Sequence, residues 1–131
     1  MNDTKNGKNN ATIFIIEDDQ FLLDLLIRKL KNKRFGIITA TTGEEGLIKI
    51  KEKSPDLILL DLILPGIHGF NVLEQLKNDP ELKKIPVIVL SNLGQEEEIQ
   101  KGLSLGAESF LIKANLAPDE IVEKINEILA K

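Results

Sequence analysis

The sequence predicts an α/β domain: a parallel sheet with helices on both faces. Three observations predict it. From Ala11 onward, short apolar runs alternate with segments of helical period, five times over. Most of the runs are continuously apolar rather than apolar at every second residue, which suits strands covered on both sides. No Gly-, Pro- or Ser-rich linker breaks the alternation, so a single layered domain accounts for all of it.

The elements follow in order. Met1 to Asn10 offers almost nothing to bury, and a disordered tail is expected over residues 1–11. Ile13 to Ile16 is the first strand. Leu22, Leu23, Leu26, Ile27 and Leu30 share one face of a helix that starts near Asp19, with Asp19 as its cap. Phe35 to Ala40 is a weaker, more mixed run that suits an edge strand. Thr42 and Glu45 form a capping box for a second helix carrying Leu47 and Ile50. Leu57 to Leu60 is the third strand. Phe70, Leu73 and Leu76 mark a third helix, closed by Asn78, Asp79 and Pro80; His68, the one histidine, reads as an exposed loop residue. Val87 to Leu90 is the fourth strand. A short fourth helix carries Ile99 and Leu103, with Gly106 at its C-terminal cap and Glu96 to Glu98 as a solvated face near its start. Phe110 to Ile112 is the fifth strand. Ile121, Val122, Ile125, Ile128 and Leu129 form the fifth helix, with Pro118 at its first position.

Composition narrows the function. The chain has 131 residues, 42% hydrophobic and 29% charged, enough for one globular domain. Cysteine is absent, which excludes disulfides, thiolate nucleophiles, iron–sulfur clusters and cysteine zinc sites and fits a reducing compartment. The net charge is -4 and aromatics are 4%, a poor basis for wrapping nucleic acid. No signal-peptide pattern or bilayer-length apolar run is visible, so a cytoplasmic location and no membrane contact are expected.

Polar residues recur where the apolar runs stop. Glu17, Asp18 and Asp19 follow the first strand, Asp61 the third, Ser91 the fourth and Lys113 the fifth. In an open parallel sheet these positions share the carboxyl edge, where such folds place ligands. Carboxylates gathered there repel one another unless a cation intervenes. Oxygen donors without histidine or cysteine suit a hard ion such as Mg²⁺. A lysine, a hydroxyl and that ion together suit a phosphoryl group, and a neighbouring carboxylate can serve as nucleophile.

Glu17-Asp18-Asp19, Asp61 followed by Leu62-Ile63-Leu64-Pro65-Gly66, Ser91 and Lys113 together resemble the receiver domain of bacterial two-component response regulators, chemotaxis regulators among them. The resemblance covers about Thr12 to Leu129 and marks residues 12–131 as a receiver domain. It implies a flavodoxin-like, doubly wound, five-stranded parallel sheet in the order 2-1-3-4-5 with five helices. It implies that Asp61 accepts phosphate from a phosphohistidine on a sensor histidine kinase or a histidine phosphotransfer protein. Asp18 matches the direct Mg²⁺ carboxylate, assisted by Glu17, and Ile63 matches the position whose backbone carbonyl completes the metal site. Ser91 matches the switch hydroxyl, Lys113 the lysine that pairs with the phosphate, and Phe110 the aromatic that turns inward on activation. Ala114 stands where the family commonly has proline, Asn92 where it usually has a small residue, and His68 where it often has an acid. Ile63 and Leu93 match the two positions that flank the path by which water reaches the phosphoryl group, and both are apolar here, which implies slow loss of phosphate.

The length leaves no room after Lys131 for an output domain, so a stand-alone module is expected, with the excised receiver of a longer regulator as the alternative. By its resemblance, the module acts by contacts with a downstream protein and dimerises, if at all, through the fourth helix, fifth strand and fifth helix. It is not an enzyme beyond its own phosphorylation and dephosphorylation. Two other functions stand beside this one. A phosphorylation-independent adaptor of the same shape should lose some of these residues, and none is lost. An aspartate-nucleophile phosphohydrolase needs an acid two residues after Asp61, where Ile63 cannot donate a proton.

Overall fold

The computed structural model describes residues 11–131 apart from Leu93 and Leu116. The expected tail lies outside the described residues, except Ala11. That residue is buried, and its carbonyl accepts from Gly36 N at 2.9 Å, so it belongs to the fold.

Five strands, β1 (Thr12–Ile16), β2 (Gly36–Ala40), β3 (Leu57–Asp61), β4 (Val87–Ser91) and β5 (Ser109–Ile112), alternate with five helices. The helices are α1 (Gln20–Asn32), α2 (Gly43–Lys53), α3 (Gly69–Asn78), α4 (Glu96–Ser104) and α5 (Pro118–Leu129), and a 3-10 turn spans Lys113–Asn115. All strand pairings are parallel, in the order β2-β1-β3-β4-β5. This is the flavodoxin-like, doubly wound arrangement that the resemblance implies.

Alternation along the strands divides the core in two. Phe14, Ile16, Ile58, Leu60, Val87 and Val89 meet Ile50 of α2 and Phe70, Leu73 and Leu76 of α3. Ile13, Ile15, Leu57, Leu59, Ile88 and Leu90 meet Leu23, Leu26 and Leu30 of α1 and Ile121 and Ile125 of α5. Each fully buried aliphatic side chain contributes about 1.5–3 kcal/mol, which is why the central strands are apolar on both faces. β5 departs from the expectation of a strand covered on both sides. It has one neighbour, β4, and its four residues are only half-buried.

The caps explain the boundaries. Asp19 accepts from Phe21 N and Leu22 N and starts α1. Thr42 Oγ1 accepts from Glu45 N, while the Glu45 carboxylate returns to Thr41 N, one residue earlier than a strict capping box. His68 is not an exposed loop residue: it is half-buried and starts α3, its Nδ1 accepting from Phe70 N at 3.1 Å. Glu98 departs from the solvated face formed by Glu96 and Glu97 and is half-buried.

Two helices end in paired bonds of the Schellman kind. In α4, Gly106 N reaches Leu103 O and Ala107 N reaches Gly102 O, with Gly106 at φ +110°. In α1, Arg34 N reaches Lys31 O and Phe35 N reaches Leu30 O, but the left-handed residue is Arg34, at φ +70°. A side chain in that region costs about 1 kcal/mol that glycine avoids. Arg34→Gly should therefore stabilise the domain by about 1 kcal/mol, read as a higher urea midpoint at unchanged slope. An unchanged or lower midpoint would contradict this account of the turn.

Candidate functional site

Parallel register brings the strand ends together. Ile16 pairs with Leu60, Asp61 with Leu90, and Ser91 with Ile112. Glu17 continues β1, its N–H donating to Ala40 O, and Lys113 continues β5 into the 3-10 turn. Among the described residues, the buried polar or charged side chains are Glu17, Asp61 and Ser91, all on this edge. A domain that tolerates buried polar groups only at one place has a use for them there.

Lys113 Nζ lies 2.8 Å from Glu17 Oε1 and 3.2 Å from Asp61 Oδ2. Glu17 Oε2 accepts from Asp19 N at 3.0 Å, while buried Oε1 receives no aligned hydrogen bond. Asp61 Oδ1 accepts from Ile63 N at 3.3 Å. Burial pushes the Asp61 carboxyl up, the Glu17 carboxylate pushes the same way, and the result is about 7 against an ordinary 3.8, with Lys113 opposing only in part. For Lys113, burial pulls downward, but Glu17 and Asp61 outweigh it and its pKa ends above the usual lysine value.

Glu17, Asp18 and Asp61 each offer a carboxylate oxygen, all within 4.8 Å of one another, and Asp18 is the exposed member at the mouth. One ammonium faces two of these three carboxylates. The excess negative charge and the hard oxygen donors fit a small divalent cation.

Two glycines hold the surrounding loops. A Cβ at Gly69 would lie 2.6 Å from Asp61 O and 2.7 Å from Leu62 Cα, so only glycine lets α3 begin directly against the Asp61 backbone. Gly66, at φ +81°, lies under the Glu44 carboxylate, which also accepts from Ile67 N at 3.4 Å. The sequence reading missed Gly69 and Glu44. A glycine just ahead of a helical stripe is a visible signal for close approach, but the Glu44 contact joins separate loops and leaves none.

Ile63 exposes 59% of its surface, two residues after Asp61. Phe110 is half-buried and packs on the α2–α3 side of the core. Leu93, the other expected flank, lies outside the described residues.

A family model for the response regulator receiver domain matches residues 13–126. Among curated proteins, the chain is 33% identical to the phosphate regulon transcriptional regulatory protein PhoB of Rhizobium meliloti, over 91% of this chain and 52% of that protein. It is 38% identical to the response regulator PleD of Caulobacter vibrioides, over 79% of this chain and 23% of that protein. The chain thus spans about half the length, or less, of these curated relatives. Among solved structures, it resembles a CheY-like receiver domain protein from Methanospirillum hungatei with TM-score 0.85 and 28% identity, covering 92% of this chain and 94% of that one. It resembles the Francisella response regulator 1452 receiver domain equally well, with TM-score 0.85 and 26% identity over 92% and 98% of the two chains.

Proposed function

The chain belongs to the response regulator receiver domain family, a family of signalling domains, and from that premise we propose that Asp61 accepts a phosphoryl group from a phosphohistidine on a partner protein. The observation that carries the proposal is the buried carboxylate of Asp61 beside Glu17, Asp18 and Lys113, on the one sheet edge where, among the described residues, polar side chains are buried. A carboxylate oxygen of Asp61 bonds to phosphorus as the phosphorus–nitrogen bond breaks, and the imidazole leaves with that electron pair. Glu17, Asp18, Asp61 and the Ile63 backbone carbonyl would hold Mg²⁺, which supplies positive charge for the phosphoryl oxygens. Lys113 faces Asp61 Oδ2 and, after transfer, a phosphoryl oxygen in its place. The Ser91 hydroxyl, buried at the same edge, gives the phosphorylated state a second contact. Only contacts that differ between the two states shift an equilibrium, and these two differ.

The phosphodonor in this reading is a sensor histidine kinase or a histidine phosphotransfer protein. The response passes through Phe110 and the α4–β5–α5 face to a downstream protein or a second copy, with no direct nucleic acid contact. Among the described residues no helix is long and apolar enough to cross a membrane, in keeping with a cytoplasmic module. The chain acts on no substrate beyond its own aspartate.

Incubation with acetyl phosphate, with and without Mg²⁺, followed by intact mass, tests the proposal. One phosphoryl adduct that needs Mg²⁺ supports it; an adduct formed equally well without metal would sink it. The lifetime of that adduct carries a further expectation. Ile63 is apolar and cannot orient a water in line with the phosphorus–oxygen bond. Ile63→Asn should speed loss of the adduct by roughly tenfold, since placing a nucleophile is worth at least that much. Equal decay in parent and variant would remove Ile63 from that role.

A further inference from the structure

Two side chains of β5 enter spaces that only glycine leaves open. A Cβ at Gly94, just ahead of α4, would collide with Ile112 Cδ1. A Cβ at Gly102, within α4, would lie 2.9 Å from Phe110 Cδ2, 3.2 Å from its Cε2 and 3.6 Å from Phe70 Cε1. Gly102 is the buried residue of α4, and next to it Lys101 Nζ stands 4.9 Å from the centroid of the Phe70 ring. That cation–π contact ties α4 to α3, the helix that begins against the Asp61 backbone. Phe110 and Ile112 lie opposite Val89 and Ser91 and share one face of the sheet. The Phe110 ring is therefore bounded by Gly102 on one side, while its strand neighbour is Val89, two residues before Ser91. It is only half-buried, so it has room to leave its seat.

We propose that Gly102 is the positioning residue of the α4–β5 face: the notch left by its missing side chain seats the Phe110 ring, and the placement of α4 over β5 follows from whether that seat is filled. The inference rests on the reading that phosphorylation at Asp61 acts through this face. A methyl group at Gly102 meets the ring edge, and the ring, the end of a side chain, yields before the strand backbone does. The two packings are separate arrangements rather than a continuous slide, because close-packed interiors accept discrete positions.

Fluorine NMR of protein carrying fluorophenylalanine tests it, with the Phe110 signal assigned from Phe110→Leu. In the free protein, Gly102→Ala should move the Phe110 signal while that of Phe14, in the sheet centre, stays in place. Adding Mg²⁺ and beryllofluoride should shift Phe110 in the parent, and Gly102→Ala should lose most of that shift. A Phe110 signal unmoved by Gly102→Ala in the free protein overturns the notch. A parent that gives no beryllofluoride shift instead counts against the phosphorylation reading, and the free-protein comparison still judges the seat. A thermal-melt cycle covers a poorly folded variant. Gly102→Ala should lower Tm, or fail to raise it, with Phe110 present, and raise Tm in Phe110→Ala, where the methyl has space and helix propensity favours alanine. The same change in both backgrounds overturns the proposal.

Discussion

Asp61→Asn should take up no phosphoryl group from acetyl phosphate and, without metal, should be more stable than the parent at pH 8. The first effect is all or none, because the amide is not a nucleophile of comparable strength. The second follows from burial. The Asp61 carboxyl titrates near 7 in the folded protein against 3.8 ordinarily, because burial and the Glu17 carboxylate both disfavour its charge. Between these values the folded chain holds a proton that the unfolded chain has released, so stability falls as pH rises through that window and levels off above 7. Asparagine removes the titration and flattens the profile. The gain at pH 8 should be on the order of 2 kcal/mol, the scale of a poorly matched buried charge. Mg²⁺ should remove most of the parent's disadvantage by supplying the missing charge. Urea unfolding at pH 5 and pH 8, with and without Mg²⁺, gives all the values. A parent more stable at pH 8 than at pH 5 without metal would contradict the site's electrostatics, whereas an adduct on Asp61→Asn would move the acceptor elsewhere.

Lys113→Ala should do the opposite and destabilise the metal-free protein by about 3 kcal/mol, as removal of one partner from a buried ion pair does. Glu17 is fully buried and Lys113 nearly so, and Lys113 is the ammonium that faces both Glu17 and Asp61. With it gone, Glu17 Oε1 has neither an aligned hydrogen bond nor a counter-charge. Mg²⁺ should recover part of the loss. The same variant should still accept phosphate on Asp61 yet fail to shift the fluorine signal of Phe110, because the contact that distinguishes the two states has gone. A variant as stable as the parent without metal, or one with a full Phe110 response, would show that Lys113 does not hold this site together.

Much of this was legible in the residues. The runs at Ile13, Leu57 and Val87 are apolar without a break because they lie between two layers, and that is a property of a stretch read on its own. Glu17, Asp61, Ser91 and Lys113 were legible as neighbours because right-handed crossovers bring successive strand ends to one edge. The misses have a common cause. The run at Phe110 reads by itself as a strand covered on both sides, and only the order 2-1-3-4-5 that the resemblance implies sets β5 at the edge. His68 looked like a loop residue because its ring nitrogen caps a helix that starts at Gly69, one residue before the apolar stripe begins. Arg34 occupies a left-handed position that composition assigns to glycine, and only the backbone shows it. The seat at Gly102 depends on a ring from another element, so no local pattern announces it.

The carboxyl edge has a consequence for biosynthesis. Its parts come from β1, β3, β4 and β5, and pairing strands so far apart along the chain is intrinsically slow. On the ribosome, Glu17, Asp18 and Asp61 emerge well before Lys113. Until β5 docks, the nascent protein carries three carboxylates with no ammonium to offset them, and the edge of β4 is unpaired. The charge balance of the site is thus settled only when β5 docks, and a folding chain that stalls before that step carries its repelling carboxylates and an open strand edge together.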